Sequence, residues 1–372
     1  MRIIAHFDMD AFFAAIEERD KPRFKGMPIV VGADPFGGKG RGVVSTANYK
    51  AREYGIHSAL PISTAWRLSE IAKRAGKAQT IFVGVNMEKY IEESGKIMEI
   101  IHASVPLVEQ ASVDEAYADL SFVASNPSLI RANRRMGDGG YKKAIEICWK
   151  IKMEVKKKRK LTVSVGVGPN KLIAKIASGK NKPDGLTVVR EDETEKFLEP
   201  LKIRDIPGIG PKTEEMFLKK GVKLVRDLKK FSQNQMKEMM GKWGLDLYEK
   251  VRGLDDSQVV EEYEAKSIGE EETFSEDSKD AIFISKHLER LCEGVFETFS
   301  KSGFKSFKTV SIRMRFSDFE TKTRAHTLAK SASDKETLKF EAMRLLSPFL
   351  DKRENPRNKK IRLIGVRIEK LI

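Results

Sequence analysis

Asp8 and Asp10 close an apolar run, Ile3-Ile4-Ala5-His6-Phe7, and Asp114-Glu115 come about a hundred residues later within Ser112-Val113-Asp114-Glu115-Ala116-Tyr117. Carboxylates gathered at strand ends supply hard oxygen ligands, and two or three of them can hold a pair of divalent cations that handle phosphates. Alternate residues on a strand share a face, so Ile4, His6 and Asp8 point together. Asp8 meets Asp114 if the N-terminal strand pairs with a hairpin near 105–120. Glu115 then supports the pair, and the Met9 carbonyl offers a further oxygen. With neither Cys ligands nor a His pair at hand, magnesium fits this set better than zinc. The same residues also suit a plain structural reading, with Asp8 capping the next helix and Asp114-Glu115 decorating a turn.

Four other stretches carry phosphate-binding chemistry. In Ser45-Thr46-Ala47-Asn48-Tyr49-Lys50-Ala51-Arg52, a helix places Tyr49 and Arg52 on one face. Arg contacts a phosphate bidentately, Tyr adds a hydroxyl, and Thr46 lies near the helix start. Lys182 precedes a Pro183-Asp184-Gly185 turn that fixes its backbone. Ile206-Pro207-Gly208-Ile209-Gly210-Pro211-Lys212 reads as a helix-hairpin-helix turn exposing backbone N–H groups to a phosphate. Arg313, Arg315, Lys322 and Arg324 alternate along two adjacent strands, the pattern of a basic face tracking a nucleic-acid backbone. Each also has a structural reading: an amphipathic surface helix, a basic helix end, an ordinary Gly turn, a solvated sheet face.

To converge, these residues need a scaffold, and periodicity outlines one. Residues 1–10 read as a buried strand, and Asp10 opens a helix from Ala11 to Arg19. Strands follow at 28–32 and 42–47, separated by a Gly-rich turn, then a helix from Asn48. Residues 80–85 form a strand, 86–104 a helix, and 105–120 a hairpin. A helix spans 141–157, a strand 161–167, and Pro169-Asn170 begin another helix, with Pro at an early position. This mixture is α+β for the first 175 residues. Residues 176–245 are helical and 246–267 a charged linker. The remainder orders as β-α-β-β-α-β, with strands at 267–274, 307–316, 321–328 and 361–368 and helices around Ile284–Phe299 and over 335–350.

The bulk composition narrows the class. Sixty-nine Lys and Arg stand against 54 Asp and Glu, a net charge of +15 in 372 residues. That balance points first to nucleic acid and then to anionic membranes, although a Lys- and Glu-rich thermally hardy surface shows the same numbers. Cys148 and Cys292 sit in helical apolar patterns, so neither a disulfide framework nor a metal knuckle is expected, and a reducing compartment fits. No apolar run approaches the roughly 20 residues of a membrane span, and the N-terminus lacks the form of a signal peptide. A cytoplasmic protein is the expectation.

Together these stretches resemble the Y-family, or lesion-bypass, DNA polymerases, specifically the DNA polymerase IV branch. The resemblance rests on Asp8-Met9-Asp10-Ala11-Phe12-Phe13-Ala14, Ser45-Thr46-Ala47-Asn48-Tyr49 with Arg52, Ser112–Tyr117, Asn170–Ser178, Lys182–Gly185, the Pro207–Gly210 turn, and Lys266-Ser267-Ile268-Gly269 with Glu272-Thr273-Phe274. These run in one order from residue 1 to about 370. It implies an α+β multidomain right hand: a palm at 1–10 and 80–175, fingers at 11–79, a helical thumb at 176–245, a linker at 246–267 and a little finger at 268–372.

The resemblance also implies roles. Asp8, Asp114 and Glu115, with the Met9 carbonyl, would hold two magnesium ions, with manganese able to substitute. Tyr49, Arg52 and Lys182 would hold a dNTP triphosphate, assisted by Thr46, and Ser45 would face the incoming base pair. Beside Phe12, Phe13 would press under the sugar and reject a 2′-hydroxyl. Gly208, Gly210 and Lys212 in the thumb and Arg313, Arg315 and Arg324 in the little finger would contact DNA. The implied partners are primer–template DNA and dNTP, bound by a monomer with no membrane involvement.

No added carboxylate cluster for a proofreading exonuclease is visible, so low fidelity is expected. The chain ends just after its last strand, which puts in doubt the sliding-clamp-docking tail common in bacterial relatives. The segment 124–141 is longer than the family pattern and has no assigned role. A palm-type nucleotide cyclase and a non-catalytic DNA-binding protein are the rival readings.

Overall fold

The computed structural model describes residues 1–125, 138–262, 264–351 and 353–372. Most of the segment 124–141 therefore lies outside the described residues. The chain forms two compact units, one of Met1–Ala33, Val43–Leu60 and Thr64–Glu262, the other of Asp34–Gly42, Pro61–Ser63 and Tyr263–Ile372.

In chain order the first unit carries β1 (Ile4–Met9), α1 (Phe12–Asp20), β2 (Ile29–Gly32), β3 (Val44–Ala47), α2 (Tyr49–Arg52), α3 (Ile62–Arg74), β4 (Ile81–Gly84), α4 (Met87–His102), β5 (Val108–Gln110), β6 (Glu115–Asp119), α5 (Asp138–Arg159), β7 (Val163–Gly168), α6 (Lys171–Lys180) and β8 (Leu186–Val188). Five short helices follow: α7 (Thr194–Leu198), α8 (Pro211–Leu218), α9 (Val225–Leu228), α10 (Gln233–Met240) and α11 (Lys242–Lys250). These pack around Leu198, Phe217, Met236 and Leu247 in a small core that Ile173 and Ala177 of α6 also join.

The main sheet has the order β5-β6-β1-β7-β8, and a smaller one the order β3-β2-β4. β1 is central and covered on both faces, which is why its sequence is apolar at nearly every position. Ile3, Ala5 and Phe7 join the core with Ile97 and Ile101 of α4 and Cys148, Ile151 and Val155 of α5. Ile4, on the other face, packs with Ala174 of α6. The period of two thus turns His6 and Asp8 toward α6 as well. α6 lies close against β7 because position 166 is glycine: a Cβ there would come within 2.0 Å of the Ala174 carbonyl oxygen.

Two local expectations are corrected. Asp10 does not open α1. Ala11 stands at the N-cap in the left-handed region (φ 46°), with no side-chain cap, and the Asp10 carboxylate is engaged elsewhere. Pro169 lies outside α6, which is capped instead by Asn170 accepting from Ile173 N.

The second unit contains β9 (Ser267–Ser278), α12 (Ala281–Lys301), β10 (Phe307–Phe316), β11 (Thr321–Ala332), α13 (Lys335–Leu350) and β12 (Ile361–Glu369). This is the expected β-α-β-β-α-β order. The strands pair antiparallel as β11-β10-β12-β9. Helix residues Ile284, Leu288, Val295, Leu338 and Leu346 pack on one sheet face through Ile312, Met314 and Ile364, leaving the other face open.

Glu93 of α4 is buried and joins three elements. It accepts from Arg19 Nη1 at 2.7 Å and from Arg159 Nε and Nη2 at 2.7 and 2.6 Å. Burial opposes its charge, but the two guanidinium groups outweigh burial and hold its carboxyl down at about 2. A carboxyl depressed in the fold stabilises above its unfolded pKa and loses that contribution as pH falls through the folded value. Glu93→Gln should therefore lower stability at pH 7 by about 2 kcal/mol, because it leaves two arginines short of a partner. The variant should also flatten the acid limb of the stability profile between pH 4.5 and 2. Urea titrations across that range check this, and parallel acid limbs in parent and variant would contradict it.

Candidate active site

The paired strands bring the acidic clusters together. Asp8 on β1 is the direct register partner of Glu115 on β6, and Met9 N donates to the Asp114 carbonyl at 2.9 Å. Buried Met9 thus anchors the hairpin to β1. The Asp114 carboxylate accepts from Ser112 Oγ at 2.6 Å, within the tight link between β5 and β6.

Like charges directly opposite on paired strands repel, and two lysines relieve this. Lys182 Nζ donates to Asp8 Oδ1, and Lys175 Nζ of α6 donates to Glu115 Oε2 at 2.5 Å. Burial pushes the Asp8 carboxyl up, and Lys182 only partly reverses it. Burial also opposes charge on Glu115, but its ion pair with Lys175 holds the carboxyl below the usual carboxylate range.

His6 is fully buried beneath this pair. Ser178 Oγ donates to the Lys175 carbonyl at 2.8 Å, so it accepts from His6 Nδ1, also at 2.8 Å. That leaves Nε2 facing Glu115 Oε2 at 3.6 Å without a hydrogen-bond partner. Burial lowers the His6 pKa, which favours the neutral ring with its proton on Nδ1.

Hard carboxylate oxygens from adjacent strands, with one buried imidazole behind them, suit oxygen-seeking divalent cations. The side chains do not form a closed cage here: among the described residues no three His, Cys, Asp or Glu groups are arranged to hold a metal. Asp8 and Glu115 are each turned to a lysine.

Asp10 ties together Tyr49, β7 and the turn that carries Lys182. It is buried and accepts from Ser164 Oγ at 2.7 Å, from Asp184 N at 2.8 Å and from Tyr49 OH at 3.3 Å. One carboxylate thus fixes both Tyr49 and the turn that presents Lys182. Burial and the Asp10 charge raise the Tyr49 pKa and keep its hydroxyl a donor. The turn is held a second time, since Asp184 accepts from Lys152 and Lys156 at 2.8 and 2.9 Å.

Arg52 stacks over the Tyr49 ring at 4.7 Å and donates to the Ala47 carbonyl. Asn48 caps α2 through Ala51 N and also accepts from Ile29 N, so this short helix is fixed to β2. Ser45 and Thr46 lie half-buried on β3, just before that cap. Phe13 stacks on Tyr90 at 4.2 Å and 11°, and the Tyr90 hydroxyl donates to Glu17 at 2.9 Å. Its ring is therefore held rigidly. Phe12 and Phe13 are both buried in the same core, at 2% and 8% exposure.

The outlying basic residues divide differently from the sequence reading. Gly208 adopts φ +98°, a conformation that favours glycine, Gly210 is the N-cap of α8, and Lys212 is exposed beside it. On the second unit's sheet, Arg313 pairs in register with Thr323 and Arg315 with Thr321, which places both arginines on the open face. There Arg313 reaches Glu271 and Arg315 reaches Thr321.

Arg324 is the register partner of Ile312, which is buried. It therefore points to the helix-covered side, where it pairs with Glu354 at 2.7 Å, as Lys322 also does at 3.5 Å. The expectation that all four cations share one face is corrected. Alternation along each strand was legible, but the register between strands was not. Ser164, Lys175 and Ser178 were given no individual role from the sequence, and Asp10 and His6 were read only as an acid opening a helix and a residue on the Asp8 face. The signal that could have found Lys175 was its spacing from Asn170 on a capped helix.

Comparison with known proteins covers the whole chain. Residues 7–179 match the impB/mucB/samB family and 265–372 the C-terminal domain of that family. Residues 204–255 match the thumb domain described for DNA polymerase-iota. DNA polymerase IV 2 of Methanosarcina mazei is 44% identical over 370 residues, covering 100% of this chain and 92% of that protein. DNA polymerase IV of Streptococcus sanguinis is 36% identical, covering 99% and 96%.

Among solved structures, a Y-family DNA polymerase chimera of Dbh and Dpo4 superimposes with a TM-score of 0.81 at 27% identity, covering 100% of this chain and 99% of the other. DinB from Sulfolobus solfataricus superimposes at 0.62 and 28% identity with the same coverage. Matched by one family over 7–179 and 265–372, and 44% identical along its whole length to a DNA polymerase IV, the chain belongs to the Y-family DNA polymerases, in the DNA polymerase IV branch, and is a DNA-directed DNA polymerase.

Proposed function

We propose that this enzyme extends a primer 3′-hydroxyl on a DNA template by nucleotidyl transfer from dNTPs, with two divalent cations and without proofreading. The observation that carries the reading is the pairing of Asp8 with Glu115, with Asp114 fixed beside them by Met9 N. Asp8, Asp114 and Glu115 would hold the cations, magnesium by preference or manganese, which supply Lewis acidity at the attacking hydroxyl and neutralise triphosphate charge. A ternary complex of the Dbh DNA polymerase captured at insertion is among the structural relatives, at 28% identity and a TM-score of 0.64.

The chain's own side chains do the rest. Tyr49, Arg52 and Lys182 bind the β- and γ-phosphates, donating to oxygens that gain charge as pyrophosphate leaves. Asp10 pre-orients Tyr49 and the Lys182 turn through the hydrogen bonds described above, so little reorganisation is needed at reaction. Phe13, clamped on Tyr90, closes the space under the sugar and gives a 2′-hydroxyl neither room nor partner. Ser45 and Thr46 border the base-pair side with small groups, which suits tolerance of damaged templates and low fidelity. The Gly208–Gly210 turn and Lys212 hold backbone phosphates without reading sequence, as Arg313 and Arg315 do on the open sheet face.

A nucleotide cyclase would need neither the Gly turn nor the basic sheet, and a silent DNA-binding protein would not need three convergent acids. Primer extension with magnesium and four dNTPs separates these readings. Asp114→Ala and Glu115→Ala should still bind primer–template but lose at least about 99% of extension, the scale of losing metal-assisted charge stabilisation. Retention of more than about a tenth of the parent rate would contradict the assignment.

Phe13→Ala should lower the ratio of dNTP to rNTP insertion by about a hundredfold in single-nucleotide assays, and an unchanged ratio would remove Phe13 from the sugar pocket. Replacing Arg313 and Arg315 together by Gln should reduce the slope of log affinity against log salt by about 2. Arg324→Gln, already paired to Glu354, should leave it unchanged. Equal effects from the two faces would overturn the division.

A further inference from the structure

Lys175 stands between two charged environments. Its ammonium donates to Glu115 Oε2, and the same side chain lines a cavity of about 420 Å³ with Lys180, Arg204 and the Pro207-Gly208-Ile209 turn. With Asp205 the acidic member of its lining, the cavity is a mainly basic groove between α6 and the helix-hairpin-helix turn, an element suited to phosphate backbones, and Lys175 alone links it to Glu115. The backbone of Lys175 is pinned at both ends of this arrangement. Ser178 Oγ donates to its carbonyl and accepts a hydrogen bond from His6 Nδ1, while the Asn170 cap and the glycine at 166 seat α6 on the sheet. Only the side chain is left to swing. Lys182 differs: it serves Asp8 from the turn that follows α6, the turn assigned to the triphosphate.

We infer that Lys175 is a handover residue, neutralising Glu115 in the free enzyme and passing to the phosphodiester nearest the primer 3′ end when a divalent cation takes its place on that carboxylate. This rests on the reading of Asp8, Asp114 and Glu115 as cation ligands. It makes Lys175 a positioning residue rather than a catalytic one. A cation competes with the ammonium for one carboxylate, so its apparent affinity is set by the fraction of Glu115 released. A primer phosphate in the groove offers the ammonium a second partner and raises that fraction. Primer and cation then strengthen each other's binding by the same factor, as linkage demands. The device keeps the acids charge-compensated while the site is idle and readies Glu115 only when a primer end is in place.

The test measures manganese binding to the full chain by the loss of free Mn²⁺ signal in electron paramagnetic resonance, with and without primer–template. The parent should bind Mn²⁺ about fivefold more tightly in the presence of primer–template. Lys175→Gln should bind Mn²⁺ about fivefold more tightly than the parent without DNA and gain no further tightening from it. Lys175→Arg, which keeps the charge, should keep the coupling and guards against loss of fold in the Gln variant.

Unchanged or weaker Mn²⁺ binding by folded Lys175→Gln, or full DNA coupling in that variant, would overturn the handover while leaving the cation reading intact. Mn²⁺ binding by the parent that Asp114→Ala does not diminish would overturn the cation reading itself, and the handover with it.

Discussion

Asp8 and Glu115 face each other across paired strands, two carboxylates at the end of a buried sheet in a chain of net charge +15. Left alone, that juxtaposition would repel and lose hydration. The surrounding structure answers it from two directions. α6 supplies Lys175, the turn after α6 supplies Lys182, and both reach their carboxylates from the face of β1 that carries His6. The glycine at position 166 and the Asn170 cap matter to chemistry because they set how near α6 lies to that face.

A second carboxylate, Asp10, has the opposite task. Where Asp8 and Glu115 are each paired to a lysine, Asp10 is fully committed to Ser164, Tyr49 and the backbone of Asp184. Three distant stretches of sequence, 8–10, 49–52 and 182–185, are thereby locked to one another. The rigidity extends outward through Lys152 and Lys156 to the Asp184 turn and through Tyr90 to Phe13. The proposed roles of sugar discrimination and triphosphate alignment would gain from such preorganisation, because a looser site would spend binding energy on ordering its own groups.

Much of this was legible in the sequence. The apolar run into Asp8 foretold a buried strand, α13 occupies the residues expected for the second helix of the last domain, and the β-α-β-β-α-β order of the second unit followed from alternation and helical spacing. What escaped shares one physical cause: it depends on contacts between elements. His6 in an apolar strand looks like core until Ser178 is seen opposite it. Asp10 before a helix looks like a cap, yet Ala11 in the left-handed region turns the chain and frees the carboxylate for the site. Arg324 looks equivalent to Arg313 until the register with Ile312 sends it to the covered face. Helix α3 has no counterpart among the expected elements.

Crystals of the enzyme with primer–template, a non-hydrolysable dNTP and manganese offer the most direct test of the central claim, through anomalous scattering from the metal. The account predicts two manganese peaks ligated by Asp8, Asp114 and Glu115, with the Lys175 and Lys182 ammonium groups moved off those carboxylates. Manganese bound away from all three acids, with both lysines still seated on Asp8 and Glu115, would contradict it.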